Sequence, residues 1–238
     1  MKMDTRLLDE KNEQDIKEAG KILRRGGLVA IPTETVYGLA GNALDPTVSA
    51  QIYKVKGRPS DNPLIVHIAD IKELPALVEE IPEAAKKLAD AFWPGPLTVL
   101  LPARASLPQA LVNAEGQVAV RVTPHPLAAQ LAVEAGGPLT ASSANLSGGE
   151  AVRSPQQLDP ALLDALHHMA QEMPSASSDA HKHNQQPLLL GGPLPAGGLP
   201  STMVEPLGCA KGGAIRLRMV RNGAVSAAEL EAAGFTLE

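Results

Sequence analysis

Short apolar runs alternate with segments of helical periodicity along this chain, and this alternation restricts the fold more than any other feature. The runs with the length and composition of buried strands are residues 28–31, 64–68, 97–101 and 118–122. Between them, apolar residues recur at three- and four-residue spacing, which predicts helices that pack one face against a sheet. Such an order favours an α/β sheet over a sandwich or a helical bundle. Because strands and helices do not alternate strictly, we expect a mixed sheet.

Several helix boundaries can also be predicted. Asp45 followed by Pro46 is typical of an N-cap residue and the first helical position. Gly26 and Gly27 should end a helix that begins near Glu13 and reaches about Arg25. Further helices are predicted to start at Pro82, to cover Pro126–Glu134, to include Leu158, Leu162 and Leu166, and to cover about 226–233.

Charge and composition argue against several classes of protein. The net charge of −5 provides no overall basic field for duplex nucleic acid, and an aromatic content of 2% argues against a surface that stacks bases. A single cysteine, Cys209, excludes an internal disulfide and a cysteine-rich metal site. No secretory-type apolar segment begins the sequence, and no run approaches ~18 apolar residues. We therefore expect a cytoplasmic protein that does not enter a membrane.

Polar side chains follow the first predicted strand. Ile31 and Pro32 lead directly into Thr33-Glu34-Thr35, and ligands of α/β sheets collect where strands end. Two hydroxyls and a carboxylate could bind a small polar ligand there. The same residues could instead form an ordinary turn that is closed by a threonine hydroxyl. The spacing alone leaves both interpretations open.

Three cationic residues, Lys54, Lys56 and Arg58, lie within five positions of this acidic chain. If the segment is extended, alternation places all three side chains on one side, where they could hold a polyphosphate or a carboxylate. The alternative is a solvated helix end, at which cations are favoured by the helix dipole. The pattern alone slightly favours the helix end.

A third segment, Ser142 to Gly149, is rich in hydroxyls and small residues at the end of a predicted strand. Its backbone N–H groups and hydroxyls could surround an anion, although a plain turn has the same composition. The segment lacks the lysine spacing of a P-loop, and no G-x-G-x-x-G follows the first predicted strand. ATP, if bound, must be held by another arrangement.

Two titratable residues interrupt predicted strands. Arg121 lies near the end of the run 118–122, and a buried arginine requires a partner, which could be a ligand carboxylate or a structural acidic residue. His67 lies within Ile65–Ile68, where a histidine is more often part of the core than a ligand or a base. No nucleophile elbow, H-E-x-x-H or Ser-His-Asp set is found. Catalysis would therefore rest on positioning and charge stabilisation.

Taken together, these segments resemble the threonylcarbamoyl-AMP synthase family, which is built on the YrdC-like domain. The matching motifs occur in one order over about residues 26–223. They are P-T-E-T-V-Y-G-L at 32–39, K-G-R-P at 56–59, N-P-L at 62–64, W-P-G-P-L-T at 93–98, V-R at 120–121, S-A-N-L-S-G at 143–148, P-S-T at 200–202 and V-R-N-G at 220–223. Several long motifs in the same order argue against a chance similarity.

The resemblance implies a fold, an activity and partners. The fold would be α/β, with a twisted, open, mixed sheet, flanking helices and a concave basic cavity. The activity would be that of an L-threonylcarbamoyladenylate synthase, a nucleotidyltransferase that makes threonylcarbamoyl-AMP and pyrophosphate from ATP, L-threonine and bicarbonate. Mg²⁺ would bridge the phosphates. Partner proteins would then transfer the threonylcarbamoyl group to the adenosine beside the anticodon of certain tRNAs.

The family's functional residues are carried over to the matching positions of this sequence. Lys56 and Arg58 would form the catalytic pair that stabilises charge on the ATP phosphates, with no covalent nucleophile and no metal ligand from the protein. Further ATP contacts would come from Ser143, Asn145 and Arg221. L-threonine would contact Thr33, His67, Arg121 and Ser201, with Arg121 facing its carboxylate.

The chain is interpreted as the short, single-domain type of the family. One YrdC-like domain would cover 1–238, with its core at about 12–223, a polar insertion at about 171–187 and a short C-terminal helix at about 226–233. The sequence departs from the family pattern at Leu190, where an aspartate often precedes a Gly-Gly pair, and at Asn222, where proline is common.

Two alternative functions remain open at this point. One is a double-stranded RNA-binding or ribosome-assembly module that uses the same concave face, and weak RNA binding is compatible with either function. The other is a paralogous enzyme that forms a carbamoyl-adenylate. The acidic net charge and the scarcity of aromatic residues weigh against the first alternative.

Overall fold

The structure is a computed structural model that describes residues 6–9, 11–57, 63–150, 152–172, 188–190, 199–209 and 214–238. Within these residues the helices are α1 (Glu13–Arg24), α2 (Pro46–Lys56), α3 (Glu83–Phe92), α4 (Pro126–Ala135), α5 (Pro160–Glu172) and α6 (Ala227–Ala232). The strands are β1 (Arg6–Leu8), β2 (Val29–Pro32), β3 (Tyr37–Asn42), β4 (Ile65–Ile68), β5 (Leu97–Pro102), β6 (Gln117–Val122), β7 (Leu139–Ser143), β8 (Leu188–Leu190), β9 (Thr202–Cys209), β10 (Ile215–Arg221) and β11 (Phe235–Leu237).

The described strands form one 11-stranded sheet in the order β1-β8-β2-β3-β7-β4-β6-β5-β9-β10-β11. The pairs β1–β8, β8–β2, β4–β6, β5–β9 and β10–β11 are parallel. The remaining neighbours are antiparallel. The prediction of a twisted, open, mixed α/β sheet with flanking helices is confirmed.

The hydrophobic core lies on both faces of this sheet. On one face, α1 and α4 pack together over Val29 and Ile31 of β2. On the other face, Ala30 belongs to a larger cluster with buried residues of α2, α3 and α5. A strand that is covered on both faces is uniformly apolar rather than alternating, which explains the continuous apolar runs. Each fully buried leucine in these clusters stabilises the fold by about 1.5–3 kcal/mol relative to an exposed one.

Most of the predicted helix boundaries are confirmed. Helix α1 buries Ile16, Ala19 and Leu23 along one face, as its spacing predicts. Helix α2 begins at Pro46, and the Asp45 side chain accepts a hydrogen bond from the Thr47 N–H at 2.9 Å. The polar stretch predicted at about 171–187 lies outside the described residues, apart from the last two residues of α5. Among the described residues, no helix has the length and apolar character needed to cross a membrane.

Of the two interpretations of the cationic segment, the helix end is confirmed and the extended one is wrong where the structure describes the segment. Lys54 and Lys56 form the last turn of α2, which ends at Gly57 with a φ of 58°. Side chains two positions apart on a helix point about 200° away from each other. Lys54 is therefore exposed, whereas Lys56 is buried. Arg58 lies outside the described residues.

Candidate functional site

A cavity of about 350 Å³ opens against the sheet. This volume is large enough for a small ligand. Its lining comes from β4, β6, β7, β9 and β10 and from the turn between β2 and β3. The predicted site residues that line this cavity are His67, Arg121, Ser143, Ser201 and Arg221. The sheet thus brings together residues that are widely separated along the chain.

Arg121 and His67 are placed side by side by the sheet itself. They are register partners on the parallel neighbours β4 and β6, so their side chains share one face. Arg121 is 4% exposed, and its Nη2 lies 3.3 Å from His67 Nε2. Because a guanidinium only donates, His67 Nε2 is the acceptor and Nδ1 carries the ring proton.

The partner that buried Arg121 requires is Glu34. Arg121 Nη1 lies 2.6 Å from Glu34 Oε1, a contact that has the distance of an ion pair but not the angle of a hydrogen bond. Thr123 Oγ1 donates to the other carboxylate oxygen, Glu34 Oε2, at 3.1 Å. The Thr-Glu-Thr segment after β2 therefore contributes its carboxylate to Arg121, and Glu34 holds the guanidinium in place.

The protonation states of this pair follow from burial and from neighbouring charge. Burial, together with the Arg121 guanidinium, holds the pKa of His67 well below 6.5, so the imidazole is neutral at pH 7. Burial lowers the pKa of Arg121, Glu34 opposes this shift, and nearby Arg221 adds to it. Arginine remains protonated at physiological pH. Among the described residues, the cavity lining therefore contains two cationic guanidinium groups and no carboxylate.

Lys56 lies behind the lining, at the end of α2. Its Nζ donates to Ser142 Oγ at 2.7 Å, to Ser143 Oγ at 3.4 Å and to the carbonyl oxygen of Ser143. The Ser147 N–H donates in turn to the Lys56 carbonyl at 2.9 Å. The buried ammonium thus attaches the last turn of α2 to the end of β7, next to the cavity.

Thr33 and Asn145 make local hydrogen bonds and are not among the lining residues. Thr33 Oγ1 donates to the Val36 carbonyl at 2.6 Å, so the threonine-closed turn considered above is present. Its neighbour Thr35 lines the cavity instead. Asn145 Nδ2 donates to the carbonyls of Leu146 and Gly149, each at 2.8 Å, which closes the loop after β7.

Ser201, 3% exposed, precedes β9 and is held by two other side chains. Arg221 Nη2 donates to Ser201 Oγ at 2.8 Å, and Arg221 Nε and Nη2 donate to its carbonyl at 3.0 and 2.9 Å. Thr98 Oγ1 lies 2.8 Å from Ser201 Oγ. The sequence-based set of site residues omitted Thr98 and Thr123, and the sequence indicated Glu34 only as a carboxylate that could bind a ligand. Buried Arg121 indicated that an acidic partner exists, but nothing in the sequence identified it.

Comparison with known proteins defines the class to which this fold and cavity belong. The sequence model of the Sua5/YciO/YrdC family, described as telomere recombination, matches residues 21–180. The chain therefore belongs to the Sua5/YciO/YrdC family, which confirms the resemblance.

Curated relatives carry the name threonylcarbamoyl-AMP synthase. The chain is 48% identical over 136 residues to that of Pyrococcus abyssi, a match that covers 57% of this chain and 40% of the relative. It is 51% identical over 139 residues to that of Bacillus subtilis, covering 58% of this chain and 40% of the relative. The chain thus spans less than half the length of these two relatives. With the synthase of Stenotrophomonas maltophilia, identity is 35% over 156 residues, covering 65% of this chain and 84% of the relative.

Solved structures show the same fold. Pyrococcus abyssi Sua5 complexed with L-threonine superposes with a TM-score of 0.76 at 33% identity, covering 98% of this chain and 62% of that one. Escherichia coli YciO superposes with a TM-score of 0.69 at 21% identity, covering 95% of this chain and 98% of that one. The second likeness concerns the fold alone.

Proposed function

We propose that this chain is an L-threonylcarbamoyladenylate synthase, which forms threonylcarbamoyl-AMP and pyrophosphate from ATP, L-threonine and bicarbonate. The names of the relatives and the L-threonine bound to Pyrococcus abyssi Sua5 support this proposal. The observation that carries it is the cavity in which Arg121 and Arg221 stand beside neutral His67 and three serine hydroxyls, and no carboxylate is found among the described lining residues.

The chemistry of the proposed reaction suits such a cavity. The amine of threonine attacks the carbon of bicarbonate and water leaves, which gives a carbamate. A carbamate oxygen then attacks the α-phosphorus of ATP, and pyrophosphate leaves. All reactants are anionic or carry a carboxylate, so they repel one another until cations bring them together. Fixed guanidinium groups supply this attraction and stabilise the charge that develops in the transition state.

We assign the predicted contacts to the two larger substrates. L-threonine would contact Thr33, His67, Arg121 and Ser201, with its carboxylate facing Arg121. ATP would contact Lys56, Arg58, Ser143, Asn145 and Arg221. Among the described residues, no group of three or more His, Cys, Asp or Glu could hold a metal ion. Mg²⁺ would enter as part of the ATP substrate, held by phosphate oxygens and water.

We also propose that residues 1–238 form one YrdC-like domain and that other proteins transfer the threonylcarbamoyl group to tRNA. The single sheet, which contains strands from β1 through β11, supports the first part of this proposal. The chemistry of the product supports the second part, because a mixed carbamic–phosphoric anhydride is an activated donor that can pass its carbamoyl group to an acceptor.

The experiment is a three-substrate assay of purified protein. Pyrophosphate release should require ATP, L-threonine and bicarbonate together, and mass spectrometry should find threonylcarbamoyl-AMP. Arg121→Gln should abolish most of this release, whereas Arg153→Gln, which changes an exposed arginine, should not. Pyrophosphate release that does not depend on threonine would contradict the proposal.

A further inference from the structure

The segment after β10 packs against the backbone on both sides of Ser201. At Gly223, an added Cβ would lie 2.3 Å from the Pro200 carbonyl oxygen and 2.5 Å from the Thr202 nitrogen. The Ala224 N–H donates to the same Pro200 carbonyl at 2.9 Å. Both close neighbours of the added atom are backbone atoms, so a side chain at 223 would displace the chain next to Ser201.

Thr202 fixes the other side of Ser201. Its hydroxyl donates to the Val225 carbonyl at 2.6 Å and accepts from the Val225 N–H at 2.9 Å. Its own N–H donates to the Pro96 carbonyl at 3.0 Å. Thr202 has no exposed surface. The backbone that carries Ser201 is therefore joined to two separate parts of the chain.

The hydroxyl of Ser201 is oriented by two further side chains. Arg221 Nη2 donates to Ser201 Oγ, and Thr98 Oγ1 lies within hydrogen-bond distance of the same atom. A hydroxyl oxygen has two lone pairs and one proton. When Thr98 donates, both lone pairs of Ser201 Oγ are occupied, and its proton remains for an acceptor in the cavity.

We propose that Thr98, Arg221 and Gly223 are positioning residues, which fix Ser201 so that its hydroxyl donates to an oxygen of the amino-acid substrate. This inference rests on the proposed function of the cavity. It also extends the role of Arg221 beyond its proposed contact with ATP, because its Nε and Nη2 donate to Ser201. Arg221 thereby acts on the threonine side through Ser201.

The test is a mutant cycle with the KM for each substrate as the readout. Ser201→Ala, Thr98→Val and Gly223→Ala should each raise the KM for L-threonine about tenfold, as expected for one lost hydrogen bond to a charged ligand. The KM for ATP should stay within about twofold. Because Thr98 acts through Ser201, the double variant Thr98→Val/Ser201→Ala should match Ser201→Ala alone. Thr98→Ser, which keeps the hydroxyl, should restore the wild-type KM.

Asn222→Ala is the matched control, since Asn222 is the exposed neighbour of both Arg221 and Gly223. It should leave both KM values unchanged. Additive losses in the double variant, or an equal rise in the KM for ATP, would overturn the inference.

If the proposed function is wrong, the wild-type protein will show no threonine-dependent pyrophosphate release. The positioning of Ser201 is then measured by amide hydrogen exchange. Gly223→Ala should accelerate exchange at the Thr202 and Ala224 N–H groups, which donate to Pro96 and Pro200, while Asn222→Ala should not. Unchanged exchange in Gly223→Ala would overturn the inference.

Discussion

Two lysines on one helical turn have opposite environments. Lys56 is 3% exposed and donates to Ser142 and Ser143, whereas Lys54 faces solvent. We predict that Lys56→Ala weakens ATP binding by more than ~1.5 kcal/mol, because it removes a charge-assisted contact beside the proposed phosphate site. Arg58→Ala should act in the same direction. Calorimetric titration with ATP measures the effect.

Lys54→Ala is the control for that comparison, because it removes the same charge from the same helix end. Its ATP affinity should equal that of the wild type. If Lys56→Ala also binds ATP with unchanged affinity while remaining folded, Lys56 has no part in nucleotide binding.

The ion pair of Arg121 and Glu34 predicts that a small substitution has a large effect on the free energy of unfolding. Glu34→Gln leaves the guanidinium buried and uncompensated, which should destabilise the protein by about 3–5 kcal/mol. Glu238→Gln breaks an exposed pair with Arg216 and should cost about 0–1 kcal/mol. Urea denaturation of both variants compares the two effects. Equal midpoints would show that Glu34 does not compensate the charge of Arg121.

The low pKa of His67 predicts that stability falls in mild acid. An unfolded imidazole has a pKa of about 6.5, and the folded one lies lower. Between these two values the unfolded state binds more protons, so the free energy of unfolding decreases as the pH decreases. This contribution is complete above about pH 6.5 and declines below it by at most about 1.4 kcal/mol per pH unit.

Urea midpoints measured from about pH 7.5 down to about pH 5 test the effect of this histidine. His67→Gln should show a shallower decline than the wild type. His168→Gln, at an exposed position, serves as the control. A decline that is equally steep in the wild type and His67→Gln would assign the acid sensitivity to other groups.

Helices α1 and α4 are in close contact at Gly20. An added Cβ there would lie 2.3 Å from the Cβ of Glu134, and Arg24 Nη2 donates to the Glu134 carbonyl. We predict that Gly20→Ala lowers the free energy of unfolding by about 1–3 kcal/mol through overpacking, although alanine is the better helix former. Gly137→Ala, whose added Cβ has no neighbour within 4 Å, is the control. Urea denaturation measures the effect. If both variants have equal midpoints, moving the two helices apart does not change the free energy of unfolding.

Elements with a strong local signal were predicted from the sequence, and those without one were not. The cap at Asp45 and the apolar spacing of α1 each act within a single helix, so the sequence alone was sufficient. Strand β3 was missed, because Gly38 and Gly41 lower its apparent strand propensity and its burial on both faces removes any alternation. Strand β10, Ile215–Arg221, does carry a local signal, because its apolar and polar residues alternate.

The two interpretations of the cationic segment are distinguished by its glycine rather than by its charges. Gly57 adopts the left-handed conformation that commonly ends a helix, and this is the local signal that explains why α2 continues to Lys56.

Contacts between distant segments could not be predicted from local patterns. Burial of Arg121 implied a partner, yet the choice of Glu34 depends on how the turn after β2 meets β6 across the sheet. The same is true of Thr98 and Arg221, which meet at Ser201 from β5 and β10. Sequence motifs therefore identified most cavity residues through family resemblance, but not the side chains that hold them.

At the scale of the whole molecule, one sheet joins the described strands, and this predicts a single cooperative transition. Trp93, the only tryptophan of the sequence, packs against the larger core cluster and donates to the Leu97 carbonyl at 2.7 Å. Its fluorescence reports on the region around β5, whereas far-UV circular dichroism reports on all elements. The two urea transitions should coincide. Separate midpoints would show that the chain contains more than one folding unit.

The order of the cavity residues along the chain has a consequence for biosynthesis. Thr35 is translated long before Ser201 and Arg221. A nascent polypeptide thus lacks one wall of the cavity until β9 and β10 have been made. A ligand of this cavity can therefore stabilise only molecules in which β9 and β10 are in place, and it gives no help to shorter nascent chains.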